Sequence, residues 1–128
     1  MQFEIVKSNE FGSIPVVAGI NPDSLIVELK GKDRDLMLEL SSVFLQQEPQ
    51  QRRTLLDCIF TTNRGGLAAA AHSLRGSLFI FGADSAAEIV EELERRADEI
   101  NLAYAYERYE KLEAELAKLT HYLKVLMA

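Results

Sequence analysis

The chain has 128 residues, a size typical of one domain, and its 48% hydrophobic content is sufficient for a packed core. Its formal net charge of −6 argues against a nucleic-acid partner, which would favour a basic face. The single cysteine, Cys58, excludes an internal disulfide and favours a reducing compartment. No apolar run approaches the roughly 20 residues of a membrane helix, and no signal-peptide pattern is present. We therefore expect a cytoplasmic protein without membrane contact.

Residues 1–20 carry no helical periodicity. We expect them to be an irregular lead-in or a linker, with a short extended stretch over Ile14–Ile20. The tetrapeptide Glu10–Ser13 is also typical of joined restriction sites, so a cloning origin for residues 1–13 is the alternative. The remaining residues, 21–128, are predicted to form one helical domain.

Three helices are predicted in the first half of this domain. The Asn-Pro pair at residues 21–22 is typical of an N-cap followed by the first helical position, and Gly31 ends this short helix. Asp33 is predicted to cap a second helix that runs to about Gln47. Pro49 is predicted to open a third helix.

The fourth helix is predicted to span Leu67 to Phe81. It follows a turn signal at residues 63–66, and Gly82 is a suitable C-terminal cap. Apolar residues recur along it at steps of four and three, which predicts one buried stripe. The stripe consists of Leu67, Ala71, Leu74, Leu78 and Phe81.

The fifth helix is predicted to begin with a capping box formed by Ser85 and Glu88. Its predicted core residues are Ala86, Ile89, Val90, Leu93, Ala97 and Ile100. The last helix, from about Ala103 to Leu126, carries a heptad-like seam. The seam consists of Leu102, Ala105, Tyr109, Leu112, Leu116, Leu119, Leu123 and Leu126. A coiled-coil dimer would use the same seam, but the other amphipathic helices need a partner surface. We therefore predict a monomeric, all-α, antiparallel four-helix bundle with an additional short N-terminal helix.

The fourth helix contains a histidine with two unusual neighbours. Arg75 and Gly76 lie three and four residues after His72, so all three share one face of the helix. A glycine inside a helix lowers helix stability by about 1 kcal/mol relative to alanine, so its presence here suggests a function that needs the missing side chain. A cation and an empty space are what a nitrogen nucleophile needs when it accepts a bulky anion. His72 also lies off the buried stripe, which places it towards solvent.

The segment from His72 to Ala83 resembles the phosphoacceptor signature of histidine-containing phosphotransfer (HPt) domains. The resemblance extends from about Ile20 to Ala128. The residues that match the signature are His72, Leu74, Arg75, Gly76, Ser77, Gly82 and Ala83.

The resemblance implies that Nε2 of His72 accepts a phosphoryl group from the aspartyl phosphate of a receiver domain and passes it to another receiver aspartate. It implies that Arg75 binds phosphoryl oxygens and that Gly76 gives steric access. Mg²⁺ would be supplied by the receiver, with no intrinsic cofactor and no metal site in this chain. The expected partners are response-regulator receiver domains, including those of a hybrid sensor histidine kinase. No ATP-binding motif occurs, so we expect no kinase activity of its own.

The helix face that carries His72 is otherwise small or apolar, which is more typical of a docking surface than of a solvated helix. Ala68, Ala69 and Phe79 are its candidate docking residues, and a broader buried face is the alternative. Phe79 departs from the small residues that relatives tend to carry there. It is expected either to narrow the range of partners or to pack inward without a role.

Two alternatives to the relay function stay open. The chain could be the histidine domain of a chemotaxis-type kinase, phosphorylated by a separate catalytic domain. It could also be a non-catalytic helical adaptor in which His72 is incidental. Among the other polar residues, His121 is expected to be structural or solvated and Cys58 to lie in the core. The acidic residues within segment 91–94 are expected to form a solvated face.

Overall fold

The computed structural model describes the backbone of residues 4–9 and 12–128, and the side chains from Ile14 onward. Two strands, β1 (Glu4–Asn9) and β2 (Gly12–Val16), precede five helices. The helices are α1 (Leu25–Lys32), α2 (Arg34–Phe60), α3 (Arg64–Ile80), α4 (Asp84–Arg96) and α5 (Leu102–Met127).

Helices α2 to α5 form the bundle, joined by short loops at residues 61–63, 81–83 and 97–101. Helix α3 packs against α2 and α4, and α5 closes the bundle by packing against the same two helices. The short helix α1 packs against α2. The predicted fold class, an all-α antiparallel bundle with an additional short N-terminal helix, is confirmed. None of the described helices is long and apolar enough to span a membrane.

From α3 onward, the core lies where the apolar periodicity predicts it. The four stripe residues within α3 are buried, and so are Phe81, directly after the helix, and the six predicted core residues at 86–100. In the seam of α5, Leu102 is half-buried and the other seven residues are buried. The seam therefore contributes to the core of its own bundle, because α5 packs on α2 and α4.

The prediction that a separate helix begins at Pro49 is wrong, since α2 continues through this residue without a break. Proline inside a helix removes one backbone hydrogen bond and is normally costly. Here Pro49 itself is exposed, whereas Phe44 before it and Leu55 after it are buried. Arg52 Nε also donates to Glu48 Oε1 at 2.7 Å across the same turn. Tertiary packing on both sides thus outweighs the local preference of proline for a helix start.

Three predicted helix starts are also corrected. Helix α1 begins at Leu25, because Asn21 Oδ1 accepts from the backbone N–H of Asp23 and forms a turn instead of a cap. Helix α3 begins earlier than predicted, because the Asn63 side chain caps it through the N–H of Gly66. The predicted capping box of α4 is absent among the described residues. The backbone N–H of Ser85 instead donates to the carbonyl of Gly19 at 3.1 Å.

The described part of the N-terminal segment contains two paired strands. Strands β1 and β2 pair in an antiparallel hairpin, which was not predicted, although the extended stretch predicted from Ile14 overlaps β2. Ile14 is fully buried, and β2 packs against α5. Glu10 and Phe11 lie outside the described residues, so the cloning origin of residues 1–13 and the domain division after residue 20 stay predictions.

Candidate functional site

His72 lies near the middle of α3 on the side that faces solvent. Ala71 and Leu74 on the same helix are fully buried, and this fixes the orientation of the helix in the bundle. The His72 side chain is 64% exposed as a result. A partner can therefore reach the imidazole without rearrangement of the bundle.

The carboxylate of Glu94, on α4, contacts the imidazole directly. Nδ1 of His72 lies 2.7 Å from Oε2 of Glu94. An ionised carboxylate can only accept hydrogen bonds, so Nδ1 carries the proton. The lone pair of the neutral ring is then on Nε2, which makes no hydrogen bond to any described residue. This contact selects the tautomer with a nucleophilic Nε2.

Arg75 joins the same carboxylate from the next turn of α3. Its Nε lies 3.4 Å from Oε1 of Glu94, an oxygen that is buried and accepts no hydrogen bond within the described part of the chain. The Arg75 side chain is 41% exposed and Glu94 only 24%. This ion pair involves Nε of Arg75. The two terminal guanidinium nitrogens make no hydrogen bond to described residues. They remain able to bind an anion next to His72.

Gly76 borders open space. A Cβ atom built at this position would meet no heavy atom within 4 Å apart from its own chain neighbours and helix backbone. Gly66 on the same helix differs, because a Cβ there would lie 2.6 Å from Asn63 Nδ2 and 2.8 Å from Cys58 Sγ. Packing therefore requires a glycine at position 66. At position 76, no packing contact of the described chain requires a glycine.

The three candidate docking residues do not share one environment. Ala69 is exposed, whereas Ala68 is half-buried and packs against the core. Phe79 is 82% exposed, so it does not pack inward. The structure thus brings His72, Arg75 and Gly76 together on one accessible face, with Ala69 and Phe79 at its two ends.

The Hpt domain family matches residues 39–122, which is more than half of the chain. The chain belongs to the Hpt domain family. Its general role is accordingly histidine phosphotransfer in two-component signalling relays.

A solved structure supports the fold of this Hpt domain. The chain superimposes on the HPT domain of the Hpt sensor hybrid histidine kinase from Shewanella with a TM-score of 0.70. The two sequences are 17% identical, and the match covers 85% of this chain and 93% of that one. No curated protein matches the chain.

In this Hpt domain, the role of Glu94 was not predicted from the sequence, because its contact with His72 joins two different helices. A weaker signal was present in the sequence. Glu94 directly follows Leu93, a core residue of α4, and precedes Ala97, a buried residue just after the helix, by three residues. A side chain in that position lies at the edge of the buried stripe, where a neighbouring helix can be reached.

The expectation of a solvated acidic face over segment 91–94 is wrong in part. Glu92 accepts hydrogen bonds from Tyr104 Oη at 2.9 Å, Arg108 Nε at 2.9 Å and Arg96 Nη1 at 3.2 Å. Burial alone would raise the pKa of Glu92, but these donors and their positive charges lower it below its ordinary value of 4.5. Tyr104 and Arg108 belong to α5, so Glu92 ties α4 to that helix.

The remaining chemical candidates lie elsewhere. His121 is exposed on α5 and lines a groove that α2 and α5 form without residues of α3. Cys58 is buried, and its burial, together with the charge of Asp57, raises the pKa of the thiol. Within the described residues, no group of three or more histidine, cysteine or acidic side chains is placed to hold a metal ion.

Proposed function

We propose that this Hpt domain is a relay protein in which His72 accepts a phosphoryl group from a receiver aspartyl phosphate and donates it to a second receiver aspartate. The observation that carries the proposal is the His72–Glu94 contact. It occupies Nδ1 and leaves Nε2 of an exposed ring directed to solvent. An incidental surface histidine would have no need of such an orientation.

The first transfer is a substitution at phosphorus. The Nε2 lone pair attacks the phosphorus atom, a nitrogen–phosphorus bond forms, and the bond between phosphorus and the aspartyl oxygen breaks. The receiver recovers its carboxylate, and the ring of His72 acquires positive charge. The carboxylate of Glu94 stabilises this charge through the Nδ1–H, because it accepts the hydrogen bond before and after the transfer. The second transfer reverses these bond changes on another receiver.

Arg75 and Gly76 have complementary roles in this mechanism. The free guanidinium nitrogens of Arg75 bind phosphoryl oxygens, whose negative charge would otherwise oppose the approach of the two proteins. The open space at Gly76 admits the surface of the receiver around its phosphorylated aspartate. The receiver brings Mg²⁺, and this chain supplies the nucleophile, the cation and the docking face.

Phosphotransfer from receivers of the source organism tests the proposal. Each receiver is phosphorylated with acetyl phosphate that carries a radiolabelled phosphoryl group and is then freed of this phosphodonor. It is mixed with the wild-type chain, with His72→Gln or with the control His121→Gln. We expect label on the wild type and on His121→Gln, and none on His72→Gln. The label should be lost in acid and survive alkali, as phosphohistidine does. A second, unlabelled receiver should then remove it.

Three results would contradict the proposal. Label that persists on His72→Gln would place the acceptor elsewhere. Failure of every receiver to label a correctly folded wild-type chain would favour the non-catalytic adaptor. Label that appears only with a separate kinase catalytic domain and ATP would instead favour the chemotaxis-type alternative.

A further inference from the structure

Arg64, the first residue of α3, holds the end of α4 through two hydrogen bonds to backbone. Its Nη1 donates to the carbonyl of Ala97 at 3.0 Å and to the carbonyl of Ile100 at 2.8 Å. Both accepting residues are buried, so their carbonyls need a partner within the protein. The guanidinium of α3 therefore closes the end of α4.

Among the described residues, α4 has no local group that could replace this contact. Many helices end on a glycine in the left-handed conformation, but Ala97 has right-handed helical dihedrals, with φ −53° and ψ −35°. The backbone N–H groups of Glu99 and Ile100 both donate to the carbonyl of Arg96. Within the described chain, the carbonyls of Ala97 and Ile100 accept hydrogen bonds only from Arg64.

The first turn of a helix is an unfavourable place for a cation such as Arg64. The positive end of the helix dipole lies there and favours acidic residues. Asn63 already caps α3 through the N–H of Gly66, so α3 does not need the arginine for its own cap. Arg64 also forms no salt bridge with any described residue. The reason for an arginine at this position therefore lies in its contact with α4.

The turn of α4 that Arg64 holds is the one that carries Glu94. Glu94 precedes Ala97 by three residues, which is about one helical turn. Its Oε1 is buried and accepts no hydrogen bond within the described part of the chain, and Arg75 Nε remains 3.4 Å away. The 2.7 Å contact of Oε2 with His72 Nδ1 therefore depends on the position of the backbone in this turn. Terminal turns of helices fray, and hydrogen bonds to their last carbonyls oppose this fraying.

We propose that Arg64 is a positioning residue for phosphotransfer, which acts on His72 through Glu94. Arg64 precedes His72 by eight residues, or about 12 Å along α3, and its guanidinium is engaged at the end of α4. It is therefore too far away to contact the imidazole or a phosphoryl group. The inference rests on the proposed function, because it takes Nε2 of His72 as the nucleophile.

Loss of Arg64 would leave two buried carbonyls without a donor and loosen the last turn of α4. Glu94 would then be hydrogen bonded to Nδ1 of His72 for a smaller fraction of the time. The ring proton could move to Nε2, where it would remove the lone pair that attacks phosphorus. Transfer from a bound receiver should slow, whereas receiver affinity should stay the same, because Arg64 does not belong to the acceptor face.

The test uses Arg34→Ala as a matched control for Arg64→Ala. Arg34 Nη2 likewise donates to a backbone carbonyl at the end of another helix, that of Met127 in α5, at 3.1 Å. The ¹⁵N chemical shifts of the His72 ring report the tautomer without any receiver. Rapid-quench kinetics over a range of phosphorylated receiver concentrations gives the saturating rate constant and the apparent affinity separately.

We expect Arg64→Ala to populate the Nε2–H form of the neutral ring. The saturating rate constant should fall by about threefold, less than for loss of the Glu94 charge itself, because the contact is loosened and not removed. Arg34→Ala should keep the wild-type tautomer and rate constant. In a Glu94→Gln background, Arg64→Ala should slow transfer no further, since two residues that act through one contact are not additive.

A folded Arg64→Ala variant with the wild-type tautomer and rate constant would overturn the inference while leaving label transfer to His72, and hence the proposed function, intact. Equal slowing by Arg34→Ala would also overturn it, and so would further slowing in the Glu94→Gln background, since both indicate a general loss of stability. If no receiver labels His72, the proposed function fails and this inference fails with it.

Arg64→Lys decides the question if Arg64→Ala does not fold. The lysine keeps the positive charge, but its nitrogen lies one bond nearer the backbone than Nη1 of arginine, so it cannot hold both carbonyls in the same geometry. It should shift the tautomer in the same direction as the alanine variant. A folded Arg64→Lys variant with the wild-type tautomer and rate constant would then overturn the inference.

Discussion

Replacement of Glu94 by glutamine should slow phosphotransfer while leaving the fold intact. The amide keeps the shape of the side chain but removes the charge that lies 2.7 Å from Nδ1 of His72 and 3.4 Å from Nε of Arg75. Glutamine can also donate to Nδ1, which would move the ring proton to Nε2 and block the nucleophile.

The magnitude follows from the change in that one hydrogen bond. A hydrogen bond to a charged group contributes about 1.5–3 kcal/mol, and one between neutral groups contributes about 0.5–1.5 kcal/mol. The difference of about 1–1.5 kcal/mol corresponds to a transfer rate constant that is about 5- to 13-fold lower at saturating receiver concentration, because each 1.36 kcal/mol is a factor of about ten. A shift of the tautomer would add to this decrease.

Rapid-quench kinetics with a phosphorylated receiver measures the rate constant, and Glu110→Gln on α5 is the control for loss of one exposed charge. The ¹⁵N chemical shifts of the His72 ring report the tautomer independently of the kinetics. In the wild type, the neutral ring should carry its proton on Nδ1, and Glu94→Gln should populate the Nε2–H form. A Glu94→Gln variant with the wild-type saturating rate and the wild-type tautomer would refute the role assigned to this carboxylate.

Four further predictions follow from named contacts. Gly76→Ala should keep or raise thermal stability, by up to about 1 kcal/mol, because its Cβ meets open space, whereas Gly76→Gln should block transfer from a receiver. Ala69→Glu should weaken receiver binding in a calorimetric titration far more than Ala114→Glu, an exposed position on α5, since it places an unpaired charge in the interface. Arg64→Ala should lower the free energy of unfolding in denaturant by about 1–3 kcal/mol, because its guanidinium donates to the backbone carbonyls of Ala97 and Ile100, in the loop after α4, at 3.0 and 2.8 Å. The lowered pKa of Glu92 gives stability above pH 4.5 that is lost as the pH falls through the lower folded value, so the stability difference between wild type and Glu92→Gln should shrink in acid.

The sequence predicted the elements whose information is local and periodic. The buried stripe of α3 and the seam of α5 follow from spacing alone, because burial against any bundle selects the same residues. The placement of His72 towards solvent follows from the same stripe. The conclusion that Arg75 and Gly76 lie beside it needs only helix geometry.

The predictions failed where the local structure depends on contacts with a distant part of the chain. Pro49 has a local preference for a helix start, and the packing of both flanking turns of α2 overrides it. The β hairpin depends on pairing between two short strands, which neither strand signals alone. Glu94 reaches His72 from 22 residues further along the chain, through the packing of α4 on α3.

The burial of Cys58 has a practical consequence for labelling. It is the only cysteine of the chain, it is buried, and its thiol has a raised pKa, so maleimide reagents will react with it slowly. A cysteine introduced by Gly65→Cys would project from the first turn of α3 into open space. A fluorophore attached there would sit two helical turns, or about 10 Å, before His72. The chain can thus carry a single dye that reports the arrival and departure of a partner in real time, with its native cysteine left in place.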